Sequence, residues 1–104
     1  MDVDSVFRAL ADPTRRKLLD SLHSNGGQSL SELCAGMKLT RQAVTQHLEK
    51  LEHANLVSTV WQGREKLHYL NPVPIQDLYD RWIHKFQKQH LEALQSIKRH
   101  AEER

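Results

Sequence analysis

A mainly α-helical fold carrying one small β-hairpin, of the α+β class, is predicted by three features of the 104-residue chain. Ser29 to Met37 forms a short capped helix, Thr40 to about Asn55 forms a second helix one tight turn later, and Leu56 to Leu70 forms two strands around a short loop. Apolar residues recur at helical spacing in the first two segments, and β-branched and aromatic residues crowd the third. That order is the outline of a winged helix-turn-helix, with five helices in all and a two-stranded wing.

The elements follow from local chemistry. Val3, Val6, Phe7 and Leu10 give a short amphipathic helix within residues 1–11. Asp12-Pro13-Thr14 restarts the chain: Asp12 can cap, and Pro13 suits the first helical position, where an N–H would have no partner anyway. Leu18, Leu19 and Leu22 follow at core spacing, and Gly26-Gly27 end this second helix. Ser29 with Glu32 three residues on is a capping box, and Leu30, Leu33 and Met37 form the buried side of the third helix. Only a tight turn fits between Met37 and Thr40. Lys38 stands where a left-handed glycine would be usual, a conformation that costs a lysine about 1 kcal/mol; a phosphate contact would justify it.

The fourth helix points to function. Thr40 is its N-cap, and Val44, Leu48 and Leu51, flanked by Ala43 and Ala54, form its core stripe. The opposite face holds Arg41, Gln42, Thr45, Gln46 and Glu49, without the Glu/Lys pairs of an ordinary solvated face. Arg matches guanine, Gln matches adenine, and Thr can hydrogen-bond a base or touch the thymine methyl. The acids Glu49 and Glu52 come late, which suits a helix that enters the major groove by its first turns. Arg41, Gln42, Thr45 and Gln46 are therefore expected to read base edges of double-stranded DNA, with Lys38, Thr40 and His47 at the backbone. Alone, this face also fits a solvated, Gln-rich helix. The hairpin that follows, with Gln62-Gly63-Arg64-Glu65 at its loop, tips the balance: Arg64 and Lys66 are expected to touch phosphates.

Pro72 and Pro74 end the second strand, and a last helix is predicted from Ile75 to Ala101, about 40 Å long at 1.5 Å per residue. Its stripe of Leu78, Trp82, Phe86, Leu94 and Ile97 is longer than one small domain can cover. A second copy is the expected cover. The homodimer interface is assigned to Val3, Val6 and Phe7 of residues 1–11 with that stripe of residues 75–101.

Composition narrows the classes. No Gly/Pro-rich linker divides the chain, so a single domain over 1–104 is expected, and no apolar run is of membrane-spanning length. The first ten residues are acidic and amphipathic, unlike a signal peptide, and one cysteine suits a reducing cytoplasm. A net charge of +2 is too small for a non-specific nucleic-acid coat, so affinity must come from local placement. There is no Gly-rich phosphate loop, nucleophile elbow or loop His/acid pair, which argues against an enzyme.

Leu10-Ala11-Asp12-Pro13-Thr14-Arg15-Arg16, Ser29-Leu30-Ser31-Glu32-Leu33, Leu39 to Leu48 and Gly63 to Leu70 together resemble the ArsR-type winged-helix repressors, in order and spacing, over nearly the whole chain. The resemblance implies a homodimer built from the first and last helices, recognition helices in successive major grooves, and repression of a nearby operon. Many such proteins sense metals. The family's thiolate site has two cysteines one residue apart, whereas here Cys34 is followed at that spacing by Gly36; Asp80, His84, His90 and His100 do not reproduce its other site. No metal or cofactor is expected, Cys34 is expected to be an inert core thiol, and the inducer is unassigned. The alternatives are a protein-interaction winged helix without DNA binding and a metal- or thiol-responsive repressor.

Overall fold

The computed structural model describes residues 2–83, 92 and 94–99. In chain order these form α1 (Val3–Ala11), α2 (Pro13–Ser24), α3 (Leu30–Met37), α4 (Arg41–His53), β1 (Val57–Gln62), β2 (Glu65–Leu70) and α5 (Val73–Trp82). Residues 94–99 are also helical. The mainly α fold with a two-stranded wing is therefore as expected.

Short helices need their ends satisfied, and these are. Asp2 accepts from the N–H groups of Asp4 and Ser5 at α1, and Asp12 Oδ1 accepts from Thr14 N–H at 2.7 Å at α2. Ser29 and Glu32 form the reciprocal capping box at α3, and Thr40 Oγ1 accepts from Ala43 N–H at 3.1 Å at α4. Each such cap contributes about 1 kcal/mol. The last helix begins at Val73, two residues earlier than expected. Pro74 is tolerated in the first turn, where its missing N–H costs nothing, and it is fully buried, while Asn71 Oδ1 accepts from Val73 N–H at 3.2 Å. The expected continuation to Ala101, with Phe86, lies largely outside the described residues.

One core forms where α2, α3 and α4 meet α1 and the base of the wing. Leu18, Leu33, Leu51, Leu56, Val6 and Val44 are its fully buried centre, each contributing about 1.5–3 kcal/mol. Val6 therefore does not belong to a dimer face. It shares the inward side of α1 with Ala9, three residues on, while Phe7, next in sequence and turned away from that side, is 48% exposed.

The wing is a regular antiparallel ladder from Val57↔Leu70 to Gln62↔Glu65. Its two-residue loop is Gly63-Arg64, with Gly63 at φ 63°, a conformation that costs glycine little. Asn55, also left-handed at φ 63°, ends α4: its N–H donates to Glu52 C=O and that of Leu56 to Leu51 C=O, both at 2.9 Å. This is a Schellman motif with asparagine in the glycine place. Asn71 then closes the hairpin's base, its backbone N–H donating to Leu56 C=O and its side-chain amide to Asn55 C=O, each at 2.8 Å. Gln28 pairs with β2 through an isolated bridge to His68, whose buried ring donates from Nδ1 to Gln28 C=O at 2.8 Å. His68 is thus a packing residue.

Candidate nucleic-acid interface

The turn between α3 and α4 does place Lys38 in the left-handed region, at φ 55°, ψ 39°. The strain allows an abrupt change of direction, and Lys38 remains exposed beside the first turn of α4. Thr40 Oγ1 accepts one hydrogen bond at the cap, which leaves its hydroxyl proton for an external acceptor.

Arg41, Gln42 and Gln46 are exposed on one face of α4, and Thr45 is half-buried among them. Arg41 Nη1 lies 3.4 Å from Ser31 Oγ on α3, which holds the guanidinium near the helix start. Thr45 donates its hydroxyl to Arg41 C=O at 2.8 Å, so it can offer a base only a lone pair and a methyl group. Between this face and the wing runs a cleft of about 380 Å³, lined among others by Ser31, Arg41, Thr45, Glu49, Trp61 and Arg64. The cleft thus joins the first turns of α4 to the hairpin tip, with both polar side chains and the Trp61 ring along it.

Two expected backbone contacts stand differently. His47 is half-buried on another side of α4, with Nδ1 3.8 Å from Asp12 Oδ2 and 3.4 Å from Arg15 Nη1. Apolar packing at Val44, Leu48 and Leu51 fixes the rotation of α4, and that rotation turns His47 toward α2. Its neighbour Arg15 is buried and donates from Nε to Ala9 C=O and from Nη2 to Arg8 C=O, both 2.9 Å, closing the end of α1. The carboxyl of Asp12 is held below its ordinary value by the Thr14 N–H, and by the charges of Arg15 and His47. Lys66 is not a free cation either: its Nζ lies 3.1 Å from Glu52 Oε1. Arg64, at the loop, is exposed. Sequence reading passed over Trp61, which is 66% exposed on β1 and pairs with Lys66; a large aromatic on an outer strand was the available signal.

A second exposed surface is apolar. Phe7 and Trp82 stack with ring centroids 5.6 Å apart at 43°, and the Arg81 guanidinium lies 5.7 Å from the Trp82 ring centre. Tyr79, Trp82 and Ile83 are 49%, 42% and 44% exposed, and Leu94 and Ile97 are exposed too, whereas Leu78 packs partly on the core and Val3 is half-buried. Among the described residues, no three His, Cys, Asp or Glu side chains are grouped to hold a metal ion. Cys34 is half-buried against the core, Asp80 accepts from Gln76 Nε2 at 3.0 Å, and His84, His90 and His100 lie outside the described residues.

Known proteins share this arrangement. Residues 10–60 match the family model described as a helix-turn-helix domain. The chain is 36% identical over 86 residues to the uncharacterized HTH-type transcriptional regulator YuzN of Bacillus subtilis, covering 77% of this chain and 94% of that protein. It is 30% identical over 84 residues to the transcriptional repressor SdpR of the same organism, covering 81% and 91%. The solved structure of an ArsR-like transcriptional regulator from Rhodococcus sp. RHA1 superposes with a TM-score of 0.72 at 32% identity, covering 98% of this chain and 92% of that one. A capped helix pair with an exposed polar face and a wing, in this company, defines a DNA-binding transcriptional regulator and not an enzyme. The chain belongs to the ArsR-type winged helix-turn-helix regulators.

Proposed function

We propose that the protein is a homodimeric repressor of an inverted-repeat operator and works without a metal or cofactor. The observation that carries the reading of bases is the first half of α4: Arg41, Gln42 and Gln46 are exposed side by side with no acid among them. Base edges fall to these residues and Thr45, and phosphates to Lys38, Thr40 and Arg64. Repression is the activity named for the relative SdpR.

The dimer is built on the apolar surface of Phe7, Trp82, Leu94 and Ile97, with Leu78 beneath it and Phe86 continuing the stripe in sequence. Exposed apolar patches of this kind mark association sites. Two-fold symmetry then puts two α4 helices on successive major grooves. The protein acts in the cytoplasm; among the described residues no helix is long and apolar enough to cross a membrane. Selection of bound duplexes from random DNA tests the whole reading. An enriched inverted repeat with half-sites about one helical turn apart is expected; a single unrepeated half-site, or no enrichment, overturns it.

A further inference from the structure

The hydrogen bonds that fasten the wing gather at its base, through Asn55, Leu56 and Asn71 at one end and Gln28 with His68 beside it. Further out, toward the loop, the wing is tied to α4 by the ion pair Lys66–Glu52, 3.1 Å long with side chains 39% and 27% exposed. We propose that Glu52 is a positioning residue for DNA binding: through Lys66 it sets the angle of the wing against the recognition helix, and so the place where Arg64 meets the backbone.

Glu52 lies eleven residues after Arg41, about 16 Å along the helix axis, well behind the first turns that enter the groove. The backbone from which its side chain projects is fixed, because its C=O accepts from Asn55 N–H in the motif that ends α4. Lys66 lies opposite Trp61 in the ladder, two pairs from the loop, so the link acts on the outer half of the hairpin. Glu52 and Lys66 line the cleft between α4 and the wing, together with the charged groups Arg41, Glu49, Arg64 and Glu65. An acid on a helix facing a polyanion weakens association by long-range repulsion. Here that cost is offset by holding a cationic loop in register.

This inference rests on Arg64 touching DNA, and it reverses the expected sign of a simple substitution. If Lys66 were itself a phosphate ligand, removing Glu52 would free it and tighten binding; so would the added positive charge of Glu52→Lys. The positioning role predicts the opposite. Anisotropy with the selected operator duplex should show Glu52→Lys weakened by about fivefold, because two exposed pairs are lost in one dimeric complex. Glu52→Gln, which keeps the side chain's shape, should weaken it in the same direction, and melting temperature identifies any variant that fails to fold. The charge swap Glu52→Lys with Lys66→Glu should return to within about twofold of the parent, since the pair is rebuilt with reversed polarity. Binding by Glu52→Gln and Glu52→Lys that is unchanged or tighter, or a swap no better than its single variants, overturns the proposal. Arg64→Ala separates the two readings. If it weakens binding while the Glu52 variants do not, only the positioning role falls; if it changes nothing, the wing does not touch DNA and both fall.

Discussion

The outer face of α4 and the outer face of α1 with α5 are both open to solvent, yet they are chemically opposite. The first carries Arg41, Gln42 and Gln46; the second carries Phe7, Tyr79, Trp82 and Ile83. Both belong to helices whose other side is locked into the core, by Val44, Leu48 and Leu51 in α4 and by Val6 and Ala9 in α1. Rotation about each helix axis is therefore fixed by packing, and the exposed stripe follows from it. A polar stripe with no acid in its first half suits a polyanion, while an apolar stripe is a cost to the monomer until something dry covers it. Exposure alone says little about what a face binds. What distinguishes the faces is the chemistry left over after the core has been satisfied.

The largest effect is expected at Trp82. If the apolar face pairs two copies, Trp82→Ala should weaken the dimer by about 2–4 kcal/mol, as for a central aromatic anchor, and sedimentation should show dissociation at concentrations where the parent remains paired. A monomeric parent at micromolar concentration would end the comparison. The polar face should respond less, and to a different assay. Arg41→Ala or Gln42→Ala should cost about 1–3 kcal/mol on the preferred operator and flatten sequence preference. Arg64→Ala should weaken all duplexes alike and reduce the salt slope by about 1–2 units per dimer. Should Arg64→Ala alter preference while Gln42→Ala does not, the two roles are exchanged.

Much of this was legible in the sequence because it is local. The capping residues Asp12, Ser29 and Thr40 and the left-handed Lys38 each depend on a few neighbours, and each is where short-range chemistry puts it; the hairpin loop, expected over Gln62-Gly63-Arg64-Glu65, is tighter, because Gln62 and Glu65 pair in the ladder. What escaped depends on long-range partners. His47 follows Gln46 in sequence, but one step along a helix is about 100° of rotation, enough to swing it from the reading face to Asp12 and Arg15. Lys66 looked free because Glu52, its partner, lies fourteen residues earlier and meets it only once the wing folds back. Val6 and Phe7 both looked like interface, and only the angle at which α1 meets α4 decides which one turns inward.

Smaller effects sharpen the boundary between folding and function. Lys38→Gly should relieve the left-handed strain and stabilise the fold by about 0.5–1 kcal/mol, while operator binding weakens if the ammonium meets a phosphate. Thermal melts and binding isotherms that both improve would remove Lys38 from the interface. Asp12 gives a pH test. Its folded-state pKa lies below the ordinary 3.8, so its charge stabilises the fold above that value and the contribution disappears as pH falls through the lowered folded pKa. Asp12→Asn keeps a capping oxygen but loses the charge beside Arg15 and His47. The melting temperatures of parent and variant should therefore differ at pH 7 and converge in acid as pH falls through the lowered folded-state pKa; a gap that widens there would assign the sign wrongly.

The smallest expected effect is none at all, and it concerns metals. A metal that moved the dimer between DNA-competent and incompetent states would have to favour one state by a coupling of about 1–3 kcal/mol. That requires several ligands brought together in one state and separated in the other. Cys34 offers a single thiolate, half-buried against the core, and at Gly36, where a second would stand, an added Cβ would meet nothing within 4 Å. A lone sulfur without companions is a poor source of selective affinity for soft ions, which are held by sets of four. Asp80 already accepts from Gln76, and a single His84 one turn on would complete no tetrahedral set. Operator affinity should accordingly be the same with zinc, nickel, arsenite or chelator, and Cys34→Ser should leave it unchanged. A tenfold change on adding zinc, lost in Cys34→Ser, would show a thiolate site on α3; the same change lost in His84→Ala would show that the last helix carries a ligand set as well as a partner, and the contrast between the two faces would no longer be one of polar against apolar chemistry.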